Sequence, residues 1–212
     1  SNSSEPTATV LLKKTSTVSN GKTYTQDFTY SGNKIVSNVD RDGNKTAFTY
    51  TGDFITKVVN IDNKGVVDYT IDFTYTNGKL TSKLTYESGE KYKYKTKYVH
   101  NTDGTISFEE FRVALDTGVE QESGNIGKYT YKGGNLIKKE KSYYGSESII
   151  SYEYDAKNNR FKNVLGFNLL LDEEMSTNNI VKTTFSNSKD IVTRTFIYNA
   201  DGFPTKKKGF YN

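Results

Sequence analysis

A short unit that recurs five times constrains the fold of this chain more than any other feature of its sequence. The unit is an aromatic residue, any residue and a tyrosine, then a glycine-containing turn, then an apolar residue that starts a return segment. Its copies lie at residues 28–35, 48–55, 73–80, 129–136 and 196–203. One copy is one β-hairpin, and a single hairpin cannot cover its own aromatic face, so neighbouring copies must stack. The repeat therefore predicts a β-sheet built from consecutive hairpins.

The segments between the turns alternate between apolar and polar residues. In residues 69–75, tyrosine, isoleucine and phenylalanine alternate with threonine and aspartate, and in residues 91–98 lysine alternates with tyrosine and threonine. A period of two predicts strands with one buried face and one wet face. Glycine-containing turns recur at gaps of mostly about 10 to 15 residues, and the Asn-Gly and Asp-Gly pairs among them favour hairpins. We expect an all-β fold, an antiparallel meander of about 15 strands that forms a curved sheet or a flattened barrel.

The segment at residues 164–176 interrupts this pattern. It is the most apolar stretch of the chain, it lacks alternation, and its leucine, glutamate and methionine residues favour helix. We predict a short helix or compact loop that docks as a plug on the concave face of the sheet, which is too wide for its own side chains to fill. The alternative is a surface loop packed against one sheet edge. Residues 10–212 are predicted to form one domain, preceded by a flexible tether at residues 1–9.

Composition excludes several classes of protein. The chain has 212 residues, no cysteine, one histidine and 33% hydrophobic residues, among them 17 tyrosines and 12 phenylalanines. These numbers argue against a membrane helix bundle, a disulfide scaffold, a thiol enzyme and a zinc–thiolate site. The net charge of +4 comes from interspersed lysines and acids. We therefore expect a solvated surface and no nucleic-acid partner, with the lysines at 206–208 guarding the edge of a last strand.

Two further stretches carry a family resemblance. Residues 154–163, YDAKNNRFKN, precede the predicted plug, and residues 198–206, YNADGFPTK, lie near the end of the chain. With them, residues 20–212 resemble a family of unknown function with a porin-like fold, found in exported and often lipid-anchored proteins of Gram-negative bacteria. Arg160 stands where a proline is expected in that family. The resemblance implies a porin-like β fold and export, and it implies no activity for any residue.

The hairpin unit is also distantly similar to the YD repeat of RHS-type proteins, which build long curved β-sheets. Tyr154-Asp155 is the one Tyr-Asp pair at a junction of strand and turn, since most copies have serine, threonine or asparagine after the tyrosine. The chain is too short for the large shell that RHS proteins form. The similarity therefore implies a curved sheet of hairpin repeats and nothing about enzymatic activity.

A porin-like shape does not by itself imply a membrane-spanning role. A lipid-facing band needs outward aliphatic residues over about 25 Å, whereas the polar faces here carry lysines in strand centres, such as Lys93 and Lys95. We expect no membrane span. We expect an extracytoplasmic location, in the periplasm or at the outer membrane or cell surface, held by a lipid anchor upstream of Ser1.

No set of residues predicts catalysis. His100 is the one histidine of the chain, lies just before a turn, and is expected to be exposed and without a catalytic role. The sequence therefore predicts no Ser-His-Asp relay. Glu109 and Glu110 are neighbours on one strand and should point to opposite faces, and the acids at 172–174 are expected to cap or solvate the plug. We predict that the protein is not an enzyme and needs no cofactor or metal. A glycan-active enzyme, with two carboxylates facing a cleft, is the alternative.

Three tyrosines are the candidate ligand contacts. Exposed tyrosine stacks on sugar rings and donates a hydrogen bond, but most tyrosines here lie on the apolar faces and are expected in the core. Tyr143, Tyr144 and Tyr211 lie near turns and are the best candidates for a binding surface. The favoured function is a non-enzymatic cell-envelope module with a structural or binding role, whose partner is a glycan or another envelope protein. A barrel that holds a glycan or apolar ligand beside the plug is the second alternative.

Overall fold

The chain folds into one sheet of 15 antiparallel strands, as a computed structural model shows for residues 9–211 without the side chains of Phe210 and Tyr211. The strands are β1 (Lys14–Ser19), β2 (Lys22–Ser31), β3 (Lys34–Asp40), β4 (Lys45–Thr51), β5 (Phe54–Ile61), β6 (Val67–Thr76), β7 (Lys79–Glu87), β8 (Tyr92–His100), β9 (Ile106–Ala114), β10 (Glu120–Lys132), β11 (Asn135–Tyr143), β12 (Ser146–Tyr154), β13 (Ile180–Phe185), β14 (Ile191–Tyr198) and β15 (Pro204–Tyr211). Their order in the sheet is their order in the chain, and β1 and β15 are its two open edges. The predicted all-β meander is confirmed. It forms a curved sheet with two open edges and not a closed, flattened barrel. The predicted tether lies outside the described residues except for Thr9.

Each copy of the repeated unit contains the same β-bulge. In the second copy Tyr50 pairs with Ile55 and Thr49 with Lys57, which leaves Thr56 as an extra residue on the return strand. The other four copies shift register at the same place, at Tyr30, Tyr75, Tyr131 and Tyr198. Because a bulge bends its strand and increases twist, five equivalent bulges curve the sheet repeatedly in the same sense. Each copy of the sequence unit therefore produces one bend in the sheet.

The apolar residue of each unit is a buried anchor. Ile35, Ile55, Leu80 and Leu136 are the most deeply buried large side chains, each exposed by 1% or less. Side chains from the next hairpin bind the main chain at these anchors. The Tyr75 hydroxyl donates to the carbonyl oxygen of Ile55 at 2.9 Å, and the Tyr154 hydroxyl donates to that of Leu136 at 2.7 Å. Neighbouring hairpins are therefore joined by side-chain hydrogen bonds as well as by the strand ladder.

The connection between β12 and β13 is the plug segment, residues 155–179. It contains two single-turn 3-10 helices, Phe167–Leu169 and Glu173–Met175, in place of one longer helix. Its backbone contacts both ends of the sheet, since Leu165 N donates to Asn33 O and Asn158 N donates to Gly202 O, each at 3.0 Å. The sheet therefore curves around the segment. The predicted plug is confirmed, and the alternative of a loop against one edge is excluded.

We call the face that the plug segment covers the inner face and the opposite one the outer face. On β2–β6 the inner face is the apolar half, where Phe161, Val164 and Phe167 of the plug segment pack with Ile55 and Val58. On β7–β15 it is the charged half, which combines buried aromatic residues with lysines that face the acidic end of the plug segment. No helix in the described part of the chain is long and apolar enough to cross a membrane.

Candidate binding site

The outer face carries an open hollow that crosses β8 to β12, and we call it the outer hollow. Its volume is about 560 Å³, within the usual range of ligand sites. Val99, Ile126 and Ile149 are aliphatic residues among its lining. Val99 is 61% exposed and Ile126 is 51% exposed, although both are strand residues. The strands around them carry charged side chains on this face, so the aliphatic floor is a local exception to its chemistry.

An irregularity in β10 accompanies the hollow. The pairing of β10 with β9 shifts register between Glu122 and Ile126, so three residues of this long strand have no partner on β9. Gly124 has a φ of +78°, which a residue with a side chain rarely adopts. Such a bulge bends the strand and re-aims the residues that follow it. Ile126, on the floor of the hollow, is the first residue that pairs again.

The turn between β11 and β12 folds against this bulge. Tyr144 N donates to Gly124 O at 3.3 Å, and a Cβ on Gly124 would lie 2.5 Å from the Tyr144 ring. Tyr144 itself has a φ of +46° and forms a two-residue turn with Gly145. The positive φ therefore favours glycine at position 124, and a side chain there would also displace the Tyr144 ring. The contact fixes the turn beside the hollow.

The cations around the outer hollow already have acidic partners. Lys97 forms an ion pair with Glu120, and Lys128 lies 3.8 Å from the carboxylate of Glu140. Two acids of the lining, Glu109 and Glu147, have no such partner. Within residues 9–211 no ion pair joins either of them to a cation. The hollow therefore combines aliphatic residues with three lysines and three glutamates, and Glu109 and Glu147 are the two of these charged residues without an ion pair.

Glu140 contributes a second unsatisfied group. Its Oε1 lies 3.2 Å from Lys138 Nζ, whereas its Oε2 is buried and accepts no hydrogen bond from any described group. A buried carboxylate oxygen without a donor is costly, so it favours any arrangement that supplies one. The nearest cation to this oxygen is Lys128, whose Nζ lies 3.8 Å away, beyond hydrogen-bond distance.

A smaller hollow of about 510 Å³ adjoins the first one. The two share Lys141 and Ser148, and the smaller one adds Asn125, Tyr143 and Asn187. Amide groups beside a tyrosine ring can hydrogen-bond and stack on a hydroxylated ring. This hollow is more polar in character than its neighbour.

The three tyrosines that the sequence singled out have different positions. Tyr143 is 54% exposed and lines the smaller hollow. Tyr144 is 74% exposed, and its ring lies edge-on to that of Tyr143, with centroids 4.7 Å apart. Tyr211 pairs with Val192 through the backbone, and its side chain lies outside the described part of the structure. The structure therefore brings Tyr143 and Tyr144 together beside the hollows, while their role as ligand contacts stays a prediction.

The floor residues were missed by sequence reasoning. Val99 follows Lys91, Lys93, Lys95 and Lys97 at alternate positions, so it continues their face of β8 with an aliphatic side chain. An apolar residue on the polar side of a strand is a usable signal of an outer-face site. That signal was present in the alternation but was not used.

The inner face holds a second group of charges, which belongs to the plug segment. Lys139 Nζ lies 3.4 Å from Glu173 Oε2, and Asp172 accepts a hydrogen bond from Glu174 N at 2.8 Å. Burial raises the pKa of Asp172, and burial lowers the pKa of Lys83, with Glu110, Asp172 and Glu173 acting against the second shift. The Lys139–Glu173 pair joins the acidic end of the segment to the charged half, whereas burial disfavours the charged forms of Asp172 and Lys83.

The carboxylates considered for catalysis do not share a face. Glu110 on the inner side lies 3.9 Å from Lys141, whereas Glu109 lines the outer hollow. His100 differs from its expected exposed position, because it is half-buried and its Nε2 lies 2.8 Å from Leu80 O. It takes the place that tyrosine has in the other hairpins, which gives it a structural role.

Comparison with known proteins shows the fold alone. No family model and no curated protein matches the chain. A crystal structure of a porin-like protein from Bacteroides uniformis ATCC 8492 aligns with a TM-score of 0.54 and 13% identity, over 93% of this chain and 91% of that one. The porin-like β fold is thereby supported. The likenesses to YD repeats and to lipid-anchored proteins stay predictions.

Proposed function

We propose that this protein is a non-enzymatic binding module whose ligand lies in the outer hollow. The observation that carries the proposal is a hollow whose lining includes Val99 and Ile126, both exposed, and Ile149, which is half-buried. A concave site that exposes apolar side chains commonly marks an interaction site. The inner face is the weaker candidate, because the plug segment already covers its apolar half.

A catalytic role finds less support than a binding role. Glu109 and Glu110 lie on opposite faces, and His100 is engaged by a backbone carbonyl. A general acid and base must reach one substrate together, and these groups do not converge. The module is therefore proposed to act by binding or by structural display.

The proposed location is the envelope of a Gram-negative bacterium, outside the cytoplasm, with a lipid anchor upstream of Ser1. The porin-like fold and the absence of cysteine from the sequence are compatible with this location. Fractionation of cells that produce the full natural chain tests it. Recovery of the protein with the cytoplasmic fraction would contradict it.

The test of the binding role is a thermal-shift screen with short peptides, oligosaccharides, fatty acids and alkylamines. A ligand at 100 times its Kd stabilises the folded state by about 2.7 kcal/mol, which raises the Tm of a domain of this size by roughly 5–10 °C. The Ile126→Arg variant fills the hollow and should abolish the shift. Ile197→Arg is the matched control, because Ile197 is 60% exposed on β14 and does not line the hollow. A shift that survives Ile126→Arg, or no shift for any class, would contradict the proposed role.

A glycan ligand is the second candidate, and the smaller hollow favours it. Tyr143, Asn125 and Asn187 together provide one aromatic ring and two amide groups. If a glycan binds there, Tyr143→Ala should remove the oligosaccharide-induced shift while Ile126→Arg leaves it intact. The reverse pattern would place the glycan in the outer hollow.

A further inference from the structure

The charge balance of the outer hollow carries an inference about its ligand, which rests on the proposed binding role. Its lysines are engaged, Lys97 by Glu120 and Lys128 by Glu140. Glu109 and Glu147 have no cationic partner among the described residues. A ligand that brings positive charge would therefore gain attraction without displacing an existing pair, whereas an anion would face unpaired carboxylates.

The floor adds a second requirement. Val99, Ile126 and Ile149 offer aliphatic surface between the charged side chains. Lysine and arginine have an aliphatic stem and a charged head, so they can cover apolar surface while the head reaches a carboxylate.

The extent of the hollow indicates the size of the ligand. Its lining comes from five consecutive strands, β8 to β12. Four inter-strand spacings of about 4.8 Å give a length of roughly 19 Å, which an extended peptide covers with about six residues. A single alkylamine would leave most of that length empty.

We propose that the outer hollow binds an extended basic peptide segment of a partner protein, with aliphatic side chains on the floor and cationic heads at Glu109 and Glu147. The partner is defined by this chemistry: alternating basic and aliphatic residues over about six positions. Binding is electrostatic at the rim, so it weakens with salt, and apolar at the floor, so it is not abolished by salt.

The experiment measures fluorescence anisotropy with three labelled six-residue peptides that alternate valine with lysine, serine or glutamate. The lysine peptide should bind, the serine peptide more weakly and the glutamate peptide not at all. Raising salt from about 50 to about 200 mM should weaken the lysine peptide several-fold. The double variant Glu109→Gln, Glu147→Gln should weaken it by roughly tenfold. The double variant Glu87→Gln, Glu90→Gln changes the net charge equally outside the hollow and should leave the affinity unchanged.

Several results would overturn the inference. Equal binding of the three peptides would show that charge does not select the ligand. Competition by hexylamine as effective as by the lysine peptide would identify a small amine as the occupant. Equal loss in the two double variants would show a non-specific effect of net charge. If these tests fail while another ligand still gives a thermal shift that Ile126→Arg abolishes, the binding role stands and only the peptide assignment fails.

Discussion

The two halves of the inner face are built from the same hairpin unit but are covered in different ways. Val58 in the apolar half and Lys83 and Lys139 in the charged half occupy equivalent positions, three residues after a buried anchor. The plug segment matches this difference along its length, with Phe161 and Phe167 over the apolar half and acidic residues facing the lysines of the other. One backbone repeat therefore supports either apolar packing or charge pairing, and the residue three positions after the anchor is one of the positions at which the two halves differ.

The largest expected loss of stability comes from removing the apolar contact between Phe167 of the plug segment and the apolar half of the inner face. Phe167 is 3% exposed, and its ring contacts those of Phe48 and Phe161, with centroids 5.8 and 5.3 Å apart. Phe167→Ala should lower the free energy of unfolding by about 3–5 kcal/mol, because it leaves a cavity that the sheet cannot close. Urea denaturation measures this. The matched change in the charged half, Glu173→Gln, should cost well under about 1 kcal/mol, since that ion pair is partly solvated. Equal losses would contradict the comparison.

Alkaline pH should act on the buried tyrosines of both halves. Burial raises the pKa of Tyr30 in the apolar half and of Tyr154 in the charged half to about 12, from an ordinary value of 10.0. Above pH 10 the unfolded chain loses protons that the folded chain retains, so stability is constant below that pH and falls as pH rises toward 12. The loss is at most about 1.4 kcal/mol per pH unit for each such tyrosine, and it is smaller where solvent screens the hydroxyl. Urea denaturation between pH 8 and about pH 11 follows it. A flat profile would show that these hydroxyls are solvated.

Lys83→Met makes the charged half resemble the apolar half. Burial lowers the pKa of Lys83, so the charged ammonium costs stability at neutral pH. The variant should be about 1 kcal/mol more stable than the wild type at pH 7, and the gain should vanish as pH rises toward the ordinary lysine pKa near 10.5. Lys57→Met is the control, because Lys57 forms a solvent-exposed pair with Asp72. A destabilised Lys83→Met variant would mean that this charge holds the plug segment.

The smallest expected effect is the difference in stability between two variants that each remove one buried tyrosine hydroxyl. Tyr75 donates to Ile55 O at 2.9 Å, whereas the Tyr131 hydroxyl is buried without a hydrogen-bond partner in the described structure. Tyr75→Phe should lower stability by about 1 kcal/mol and Tyr131→Phe should leave it unchanged or slightly raise it. Thermal unfolding of both variants beside the wild type resolves the difference. Equal losses would place an undescribed partner at Tyr131.

The fold could be predicted from the sequence because its repeated unit has local causes. Glycine turns and alternation specify each hairpin, and consecutive hairpins leave a meander as the simplest arrangement. The plug was predicted because the stretch from Val164 to Met175 lacks alternation. Closure of the sheet could not be predicted, because it depends on the summed bends at the five bulges of the repeated units and at the other register shifts, and residue types do not specify those angles.

The candidate site was the part that the sequence did not reveal. The outer hollow depends on the bulge at Gly124 and on residues of five strands that meet only after pairing. Tyr143 and Tyr144 were selected for exposure near a turn, which placed them beside the hollows without showing the floor. His100 was misjudged as exposed because its partner, Leu80 O, lies 20 positions earlier in the chain.

The most direct test of the central claim is an NMR spectrum of the isoleucine, leucine and valine methyl groups, recorded while a ligand from the thermal-shift screen is added. The account predicts shifts of Val99, Ile126 and Ile149 on the outer face, with no change at the inner-face anchors Ile55 and Leu80. Shifts confined to the inner anchors, or no methyl shift with any ligand of the panel, would contradict it.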